Sequence, residues 1–421
     1  MKSPFIAYKQ GRLHIEDIPV ETLAERFETP LYVYSRGTIE AAFTSYQKAF
    51  TEIPHLICYS LKANSNLGVA ATLARLGCGA DIVSGGELRR ALLAGFSAGH
   101  IIFSGVGKTK DELALAIQKN IRMINVESEE ELKALNEVAT SLKRPAPFSL
   151  RVNPDVRAGG HPHISTGTPK NKFGVYHKDI FPLYEWARKQ PFLRPVGIQA
   201  HIGSQITKVA PYKRALAVLL DLVQRLETIG CGIEILDLGG GLGVDYHGDN
   251  PQTPTDLANL ILPQVKGRGL QLFLEPGRSI IAQAGVLVTK VLYRKGAGGK
   301  QFVIVDAAMN DLARPALYDA YHEVIEARPR TGKKVKLDIV GPVCESGDYL
   351  ARDRTMVVPK QGDVLAVLTA GAYGFSMSSQ YNSRRRAAEV LVHGKSVDIV
   401  RERETYDDLL KGESIPETLK K

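Results

Sequence analysis

Four kinds of side chain in this sequence could do chemistry together. The first is an amine, Lys62 in "YSLKAN" (59–64), which follows the apolar run Leu56-Ile57-Cys58-Tyr59. A lysine held against apolar surroundings is partly desolvated and can supply the neutral amine that a Schiff base needs. The second is the glycine run Gly239-Gly240-Gly241 in "DLGGGLG" (237–243). Consecutive glycines let backbone N–H groups approach an oxyanion with no Cβ in the way. The third is the imidazole of His201, with the hydroxyl of Ser204, in "AHIGSQ" (200–205). The fourth is the carboxylate and guanidinium of Glu275 and Arg278 in "EPGR". Together they describe a pocket for an anionic ligand beside a nucleophilic amine. Each also has a plainer reading: a solvated lysine past a strand end, a flexible turn, a hydrogen-bonded core histidine, a salt-bridge partner. Two look-alikes drop out. Gly-x-Gly-x-x-Gly fails from Gly239 because Val244 holds its last position, and "SGVGKTK" (104–110) lacks the earlier P-loop glycine, where Ile102 stands.

The elements that must carry these groups alternate. Short apolar runs recur at 56–60, 79–84, 101–105, 122–127, 148–153, 196–203, 234–241 and 271–277. They lack clean period-2 alternation, as strands buried on both faces do. Helical stretches separate most of them. "TKDELALAIQKN" opens with a capping box, Thr109 with Glu112, and "SEEELKALNEVA" repeats it with Ser128 and Glu131. "PYKRALAVLLDLVQRLETIG" is amphipathic and ends at Gly230. Eight such units predict an α/β fold, a (β/α)8 barrel over residues 31–282; an open doubly wound sheet is the alternative. Barrel active sites lie at the C-terminal strand ends. There stand Lys62, Ser84, Glu127, Asn153, His201, Ser204, Gly239 to Gly241, Glu275 and Arg278.

Beyond about residue 283 short strands with turn signals take over, with helix expected over 313–326 and in the tail. Residues 283–421, completed by 1–30 with a hairpin around Gln10-Gly11, make a mainly β domain. The composition is that of a soluble globular protein, 44% hydrophobic and 24% charged. No run approaches the ~18 apolar residues of a membrane span, and the start has no apolar stretch of signal-peptide length. Four scattered cysteines, Cys58, Cys78, Cys231 and Cys344, lack C-x-x-C spacing. They point to a reduced, cytoplasmic protein without a zinc site or disulfide framework. The net charge of +9 is interleaved with acids apart from "RRR" at 384–386, which suits anionic small molecules and not nucleic acid.

In this order, "YSLKAN", "HIGSQ", "LDLGGGLG", "EPGR", "GPVCESGD" and "GAYGFSMSSQYNSRRRAAEV" resemble the pyridoxal-phosphate decarboxylases of the alanine-racemase-type barrel, and among them the diaminopimelate decarboxylases. "NPDVRAGGHPHISTGTPKNKFGV" (153–175) matches the loop after strand five, and the resemblance covers nearly the whole chain. It implies pyridoxal 5'-phosphate carried on Lys62, with His201 stacked on the ring. Ser204, Gly239, Gly240, Gly241, Gly277 and Arg278 would surround the phosphate or lie beside it, with Tyr373 closing it from above. Glu275 would face the ring nitrogen and keep it protonated, which favours decarboxylation. Cys344 matches the proton donor. Glu345 matches the acceptor for the substrate's far amino group, and Arg278, Arg314 and Tyr318 the holders of its far carboxylate. The implied reaction takes meso-2,6-diaminopimelate to L-lysine and CO2, in a homodimer with shared active sites. Decarboxylases of the same fold acting on arginine, ornithine or carboxynorspermidine are the alternatives, as is a non-catalytic barrel carrying the cofactor.

Overall fold

Eight short strands, His55–Ser60, Gly79–Ile82, Ile101–Phe103, Met123–Val126, Ala146–Asn153, Leu193–Gln199, Ile235–Asp237 and Gln271–Leu274, pair in parallel in the computed structural model. The last pairs with the first (Leu272 with His55, Phe273 with Leu56, Leu274 with Ile57), so the sheet closes into a barrel and the open-sheet alternative falls away. The structure describes residues 3–156 and 172–420. It divides into two units, Thr38–Ala282 and Met1–Gly37 with Gln283–Lys421.

The barrel interior is layered, because inward positions recur every second residue of a strand. One layer is apolar: Leu56, Cys58, Ile102, Met123, Ile235 and Phe273, with Val196 packed against it. Two residues further along, the inward positions become polar. Cys58 gives way to Ser60, Ile102 to Ser104, Met123 to Asn125, Ile235 to Asp237 and Phe273 to Glu275. All five polar residues are buried, as are Asp81 and Gln199. The expected helix signals have mixed outcomes. Thr109 and Glu112 form the reciprocal capping box. Ser128 accepts from the Glu131 N–H, but the Glu131 carboxylate turns instead to Lys108, at 2.7 Å, and to the Glu127 N–H. The box is therefore half-formed, because Glu131 serves a buried ion pair. The amphipathic segment is helical over Ala210–Glu227.

The second unit is built on a sheet in the order Tyr349–Val357, Lys334–Val340, Lys300–Val305, Gly285–Ala297, Leu31–Ser35, Ala388–His393, Ser396–Arg401. The barrel was expected from residue 31, but Leu31–Ser35 pairs antiparallel with the Gly285 strand and parallel with the Ala388 strand. The N-terminal hairpin, Ile6–Lys9 with Arg12–Ile15, turns at Gln10 and Gly11, both with positive φ. Its Leu13 and Ile15 pack into one core with Leu31, Val33, Val286, Val288 and Val390. The helix expected over 313–326 is shorter. Only Arg314–Tyr318 is helical; Asp319 takes a left-handed conformation that ends it. Val324–Glu326 instead pairs with Val364–Val367. Lateral hydrogen bonding there overrides a helical pattern. Among the described residues no helix is long and apolar enough to cross a membrane.

Candidate active site

Lys62 lies in a one-turn helix, Leu61–Ala63, directly after the first barrel strand. Its neighbours in "YSLKAN" clamp that turn. The Tyr59 hydroxyl donates to the Asn64 carbonyl (2.9 Å), and the Ser60 N–H donates to the Pro276 carbonyl (3.2 Å). The Lys62 ammonium pairs with Asp81 and lies 3.3 Å from Ser60 Oγ. Asp81 is fully buried, whereas the Lys62 side chain is 34% exposed. A buried carboxylate thus lies against a partly exposed amine.

Glu275 sits across the same polar layer. Its Oε1 accepts from Gln199 Nε2 (3.1 Å) and Asn125 Nδ2 (3.2 Å), with Ser104 Oγ at 3.5 Å. Burial first, then the charges of Asp237 and Asp81, push its carboxyl well above the ordinary range, against the pull of Lys62. Asp237 Oδ1 accepts from the Gly239 N–H (2.9 Å), and burial pushes its carboxyl up to about 6. Glu87, close enough to feel the Lys62 charge, is pushed by burial up to about 7.

His201 Nδ1 accepts from the Gly240 N–H (3.1 Å). Burial first, then the charges of Arg151 and Lys62, hold the imidazole well below its usual range. It is therefore neutral, with its proton on Nε2. The glycine loop is threaded between other backbones. Gly239 has a positive φ of 65°, and a Cβ there would meet the Ala200 carbonyl at 2.7 Å. A Cβ on Gly240 would be built onto the Glu275 carbonyl. The loop's own carbonyls accept from the Glu275 N–H and the Tyr212 hydroxyl, both at 2.8 Å. The glycines are thus demanded by packing as well as by any anion. Arg278 donates to Ser204 Oγ (3.2 Å) and to the Tyr246 hydroxyl (3.0 Å). A guanidinium between two hydroxyls suits a phosphate dianion. Gly277 packs under the Lys62 turn, a Cβ there falling 3.0 Å from Ser60 Cβ.

These residues fit the cofactor that the sequence implies: an amine, a neutral flat ring, a carboxyl and a cation with hydroxyls. The polar layer also has spare acceptors, since Asp81 Oδ1, Asp237 Oδ2 and Gln199 Oε1 are buried without a hydrogen-bond donor among the described residues. Other strand-end candidates have structural work. Ser84 caps a helix, accepting from the Glu87 N–H, and Asn153 Oδ1 accepts from the Asp155 N–H. Glu127 forms a buried ion pair with Arg151 (2.9 Å) and accepts from the N–H groups of Gly105 and Gly174. Most of the 153–175 loop, residues 157–171, lies outside the described residues.

The remaining residues named from the sequence belong to the second unit. Arg314 is buried, with Nη1 2.8 Å from His322 Nε2. His322 Nδ1 lies 3.0 Å from the Leu368 carbonyl, which can only accept, so Nε2 is the acceptor that fixes Arg314. Tyr318 and Tyr373 are half-buried, and Tyr373 has a positive φ of 55°, a left-handed conformation strained for any residue but glycine. Cys344 and Glu345 are exposed. Their loop is braced by Asn382 Oδ1 on the Cys344 N–H (2.9 Å) and by Asp348 Oδ2 on the Val343 N–H (2.8 Å).

Reading strand ends alone passes over Asp81, Ser104, Asn125, Arg151, Gln199, Asp237 and Tyr246. A signal for most of them is in the sequence: an isolated polar residue inside an apolar run, such as the aspartates of "GADIVS" and "ILDLGG", must be bonded or used.

The family described as "Pyridoxal-dependent decarboxylase, pyridoxal binding domain" matches residues 36–282. A diaminopimelate decarboxylase from Pseudomonas aeruginosa is 51% identical over 409 residues, 97% of this chain and 98% of its own. One from Aquifex aeolicus is 48% identical over 410 residues, 97% of each chain. Among solved structures, diaminopimelate decarboxylase from M. jannaschii in complex with L-lysine superposes with a TM-score of 0.94, at 40% identity over 99% of both chains. The Helicobacter pylori protein complexed with L-lysine gives 0.90, at 43% identity over 93% of this chain and 98% of that one. Likeness at this level across both units leaves one conclusion: the chain belongs to the pyridoxal-dependent decarboxylases, in the diaminopimelate decarboxylase branch.

Proposed function

We propose that this chain decarboxylates meso-2,6-diaminopimelate to L-lysine and CO2, with pyridoxal 5'-phosphate held at Lys62. The observation that carries this is the polar layer that joins Lys62, through Asp81, to the buried Glu275. When bound, the cofactor supplies an electron-accepting ring that takes up the electron pair left as CO2 departs. Lys62 Nζ tethers it, and Asp81 takes the proton the ammonium must lose. His201, neutral and flat, offers a face to the ring. Glu275 holds a proton at the ring nitrogen. Arg278, Ser204 and the N–H groups of Gly241 and Gly277 hold the phosphate, with Gly239 and Gly240, whose N–H groups go to Asp237 and His201, beside it and Tyr373 over it. The substrate carries an amino-acid group at each end, so the unreactive end must be recognised as amine and acid together. Glu345 suits the ammonium, and Arg314 and Tyr318 with Arg278 suit the carboxylate. Cys344 Sγ is the proposed donor of the proton that replaces CO2. Cys344 and Glu345 are exposed on the single chain, which supports their serving the site of a second copy in a homodimer.

The test is CO2 release by the purified protein from meso-diaminopimelate, with ornithine and arginine alongside. Turnover of the first alone is expected, and Lys62→Ala should lose both activity and the visible absorption of the bound cofactor. Preference for ornithine or arginine would move the chain to another decarboxylase of this fold. A Lys62→Ala protein that kept both properties would end the cofactor assignment.

A further inference from the structure

His322 ends the stretch "ARPALYDAYH" (313–322) and is fully buried, eight positions after Arg314. Its place is set by backbone. The helix Arg314–Tyr318 is stopped by the left-handed Asp319, and the Ala320 N–H folds back onto the Arg314 carbonyl (3.3 Å). The chain then enters Val324–Glu326, which pairs with Val364–Val367, and the Leu368 N–H extends that pairing to the Glu323 carbonyl (2.8 Å). Arg354 grips the same turn. Its guanidinium lies 3.7 Å from the centre of the Tyr321 ring, and Nη2 donates to the His322 carbonyl (3.0 Å). The His322 ring bridges two groups of opposite kind. The Leu368 carbonyl, 3.0 Å away, can only accept, so Nδ1 carries the proton. The Arg314 guanidinium, 2.8 Å away, can only donate, so Nε2 offers its lone pair. Both partners are served together only by the neutral imidazole. A carboxylate in that place would form an ion pair with Arg314 and cancel its charge. The imidazole orients the guanidinium and adds no negative charge.

We propose that His322 is a positioning residue that makes Arg314 selective for a carboxylate at the far end of the ligand. The inference rests on Arg314 holding that carboxylate. Arginine recognises a carboxylate best through paired, parallel N–H bonds, so the plane of the guanidinium has to be set. A long side chain that turned freely would lose that freedom on binding and weaken the grip. His322 fixes the plane at Nη1 before the ligand arrives. The proposed product keeps the far carboxylate, because the one lost as CO2 comes from the reacting end. L-lysine and 1,5-diaminopentane therefore make a matched pair of probes. They share the chain and both amines and differ only in that carboxylate. His322 matters to the binding of the first and not of the second.

The test is binding of the two probes to the holoenzyme, followed by the visible absorption of the bound cofactor, with KM and kcat for meso-diaminopimelate alongside. The variants are His322→Asn, His322→Phe, His322→Gln and Arg314→Ala. Asn reaches only as far as Nδ1, so it can serve Leu368 but not Arg314, and Phe fills the ring's space with no acceptor. Both should weaken L-lysine by about tenfold or more, the scale of one hydrogen bond to a charged group, and leave 1,5-diaminopentane as in the parent. KM should rise with them while kcat changes far less. Gln carries an acceptor out to the position of Nε2 and should stay close to the parent. The proposal is overturned if Asn and Phe bind L-lysine as the parent does, or if they weaken both probes alike, as loss of a merely structural residue would. Arg314→Ala keeps the two failures apart. If it weakens L-lysine selectively and the His322 variants do not, Arg314 holds the carboxylate without help from His322. If it does not, the placement of Arg314 on that carboxylate is itself wrong, and the role of His322 falls with it.

Discussion

Asp237 makes a pH statement with no cofactor bound. Burial raises its carboxyl from the ordinary aspartate range to about 6. An acid whose pKa is raised on folding keeps its proton longer in the folded chain than in the unfolded one. Stability therefore falls as pH rises through the window between those values, and the loss is complete above it. Removing the acid removes the loss. The apoprotein of Asp237→Asn should melt above the parent near about pH 8, and the gap should close near about pH 3, below the ordinary aspartate value, where both states are protonated. Thermal unfolding at the two pH values checks this. A variant that melts well below the parent at the higher pH would show that the carboxylate is satisfied where it lies.

The glycine loop joins residue to element. Its backbone is threaded so closely between its neighbours that no side chain fits, and two of its N–H groups are tied back, Gly239 to Asp237 and Gly240 to His201. Gly240→Ala would place a methyl group against the Glu275 carbonyl. Backbone is the neighbour least able to move, so the cost should be about 1–3 kcal/mol, as for other overpacked sites. Because the strain falls on the Glu275 segment, cofactor affinity should weaken as well. Denaturant unfolding and cofactor titration of Gly240→Ala measure the two effects. A variant unchanged in both would mean the loop yields more easily than its hydrogen bonds to Glu275 and Tyr212 suggest. The capping signals teach a related lesson. The Thr109 box was readable because both partners lie within one turn. The Ser128 box was half wrong because Glu131 is claimed by Lys108, 23 positions away.

At the scale of the whole molecule the question is where Cys344 acts. If it serves Lys62 of a second copy, neither Lys62→Ala nor Cys344→Ala is active alone, yet a mixed dimer has one intact site. Random exchange makes about half the dimers mixed, so about a quarter of parental activity should return on mixing. Steady-state assay before and after subunit exchange reads this, with sedimentation giving the oligomer. No recovery in a mixture shown to exchange would place the donor and the amine on the same copy.

Taken by itself, the sequence determined the barrel, the β-rich second unit and the strand-exit residues. Strands covered on both faces leave unbroken apolar runs, and turn and cap chemistry is local. It could not show the polar layer. Asp81 meets Lys62 from 19 positions away, and Gln199 meets Glu275 from 76. Such pairs exist only once neighbouring strands are set in register and the sheet closes. Which buried acid keeps a proton was decided there too, because that depends on the charges packed around it and not on its place along the chain.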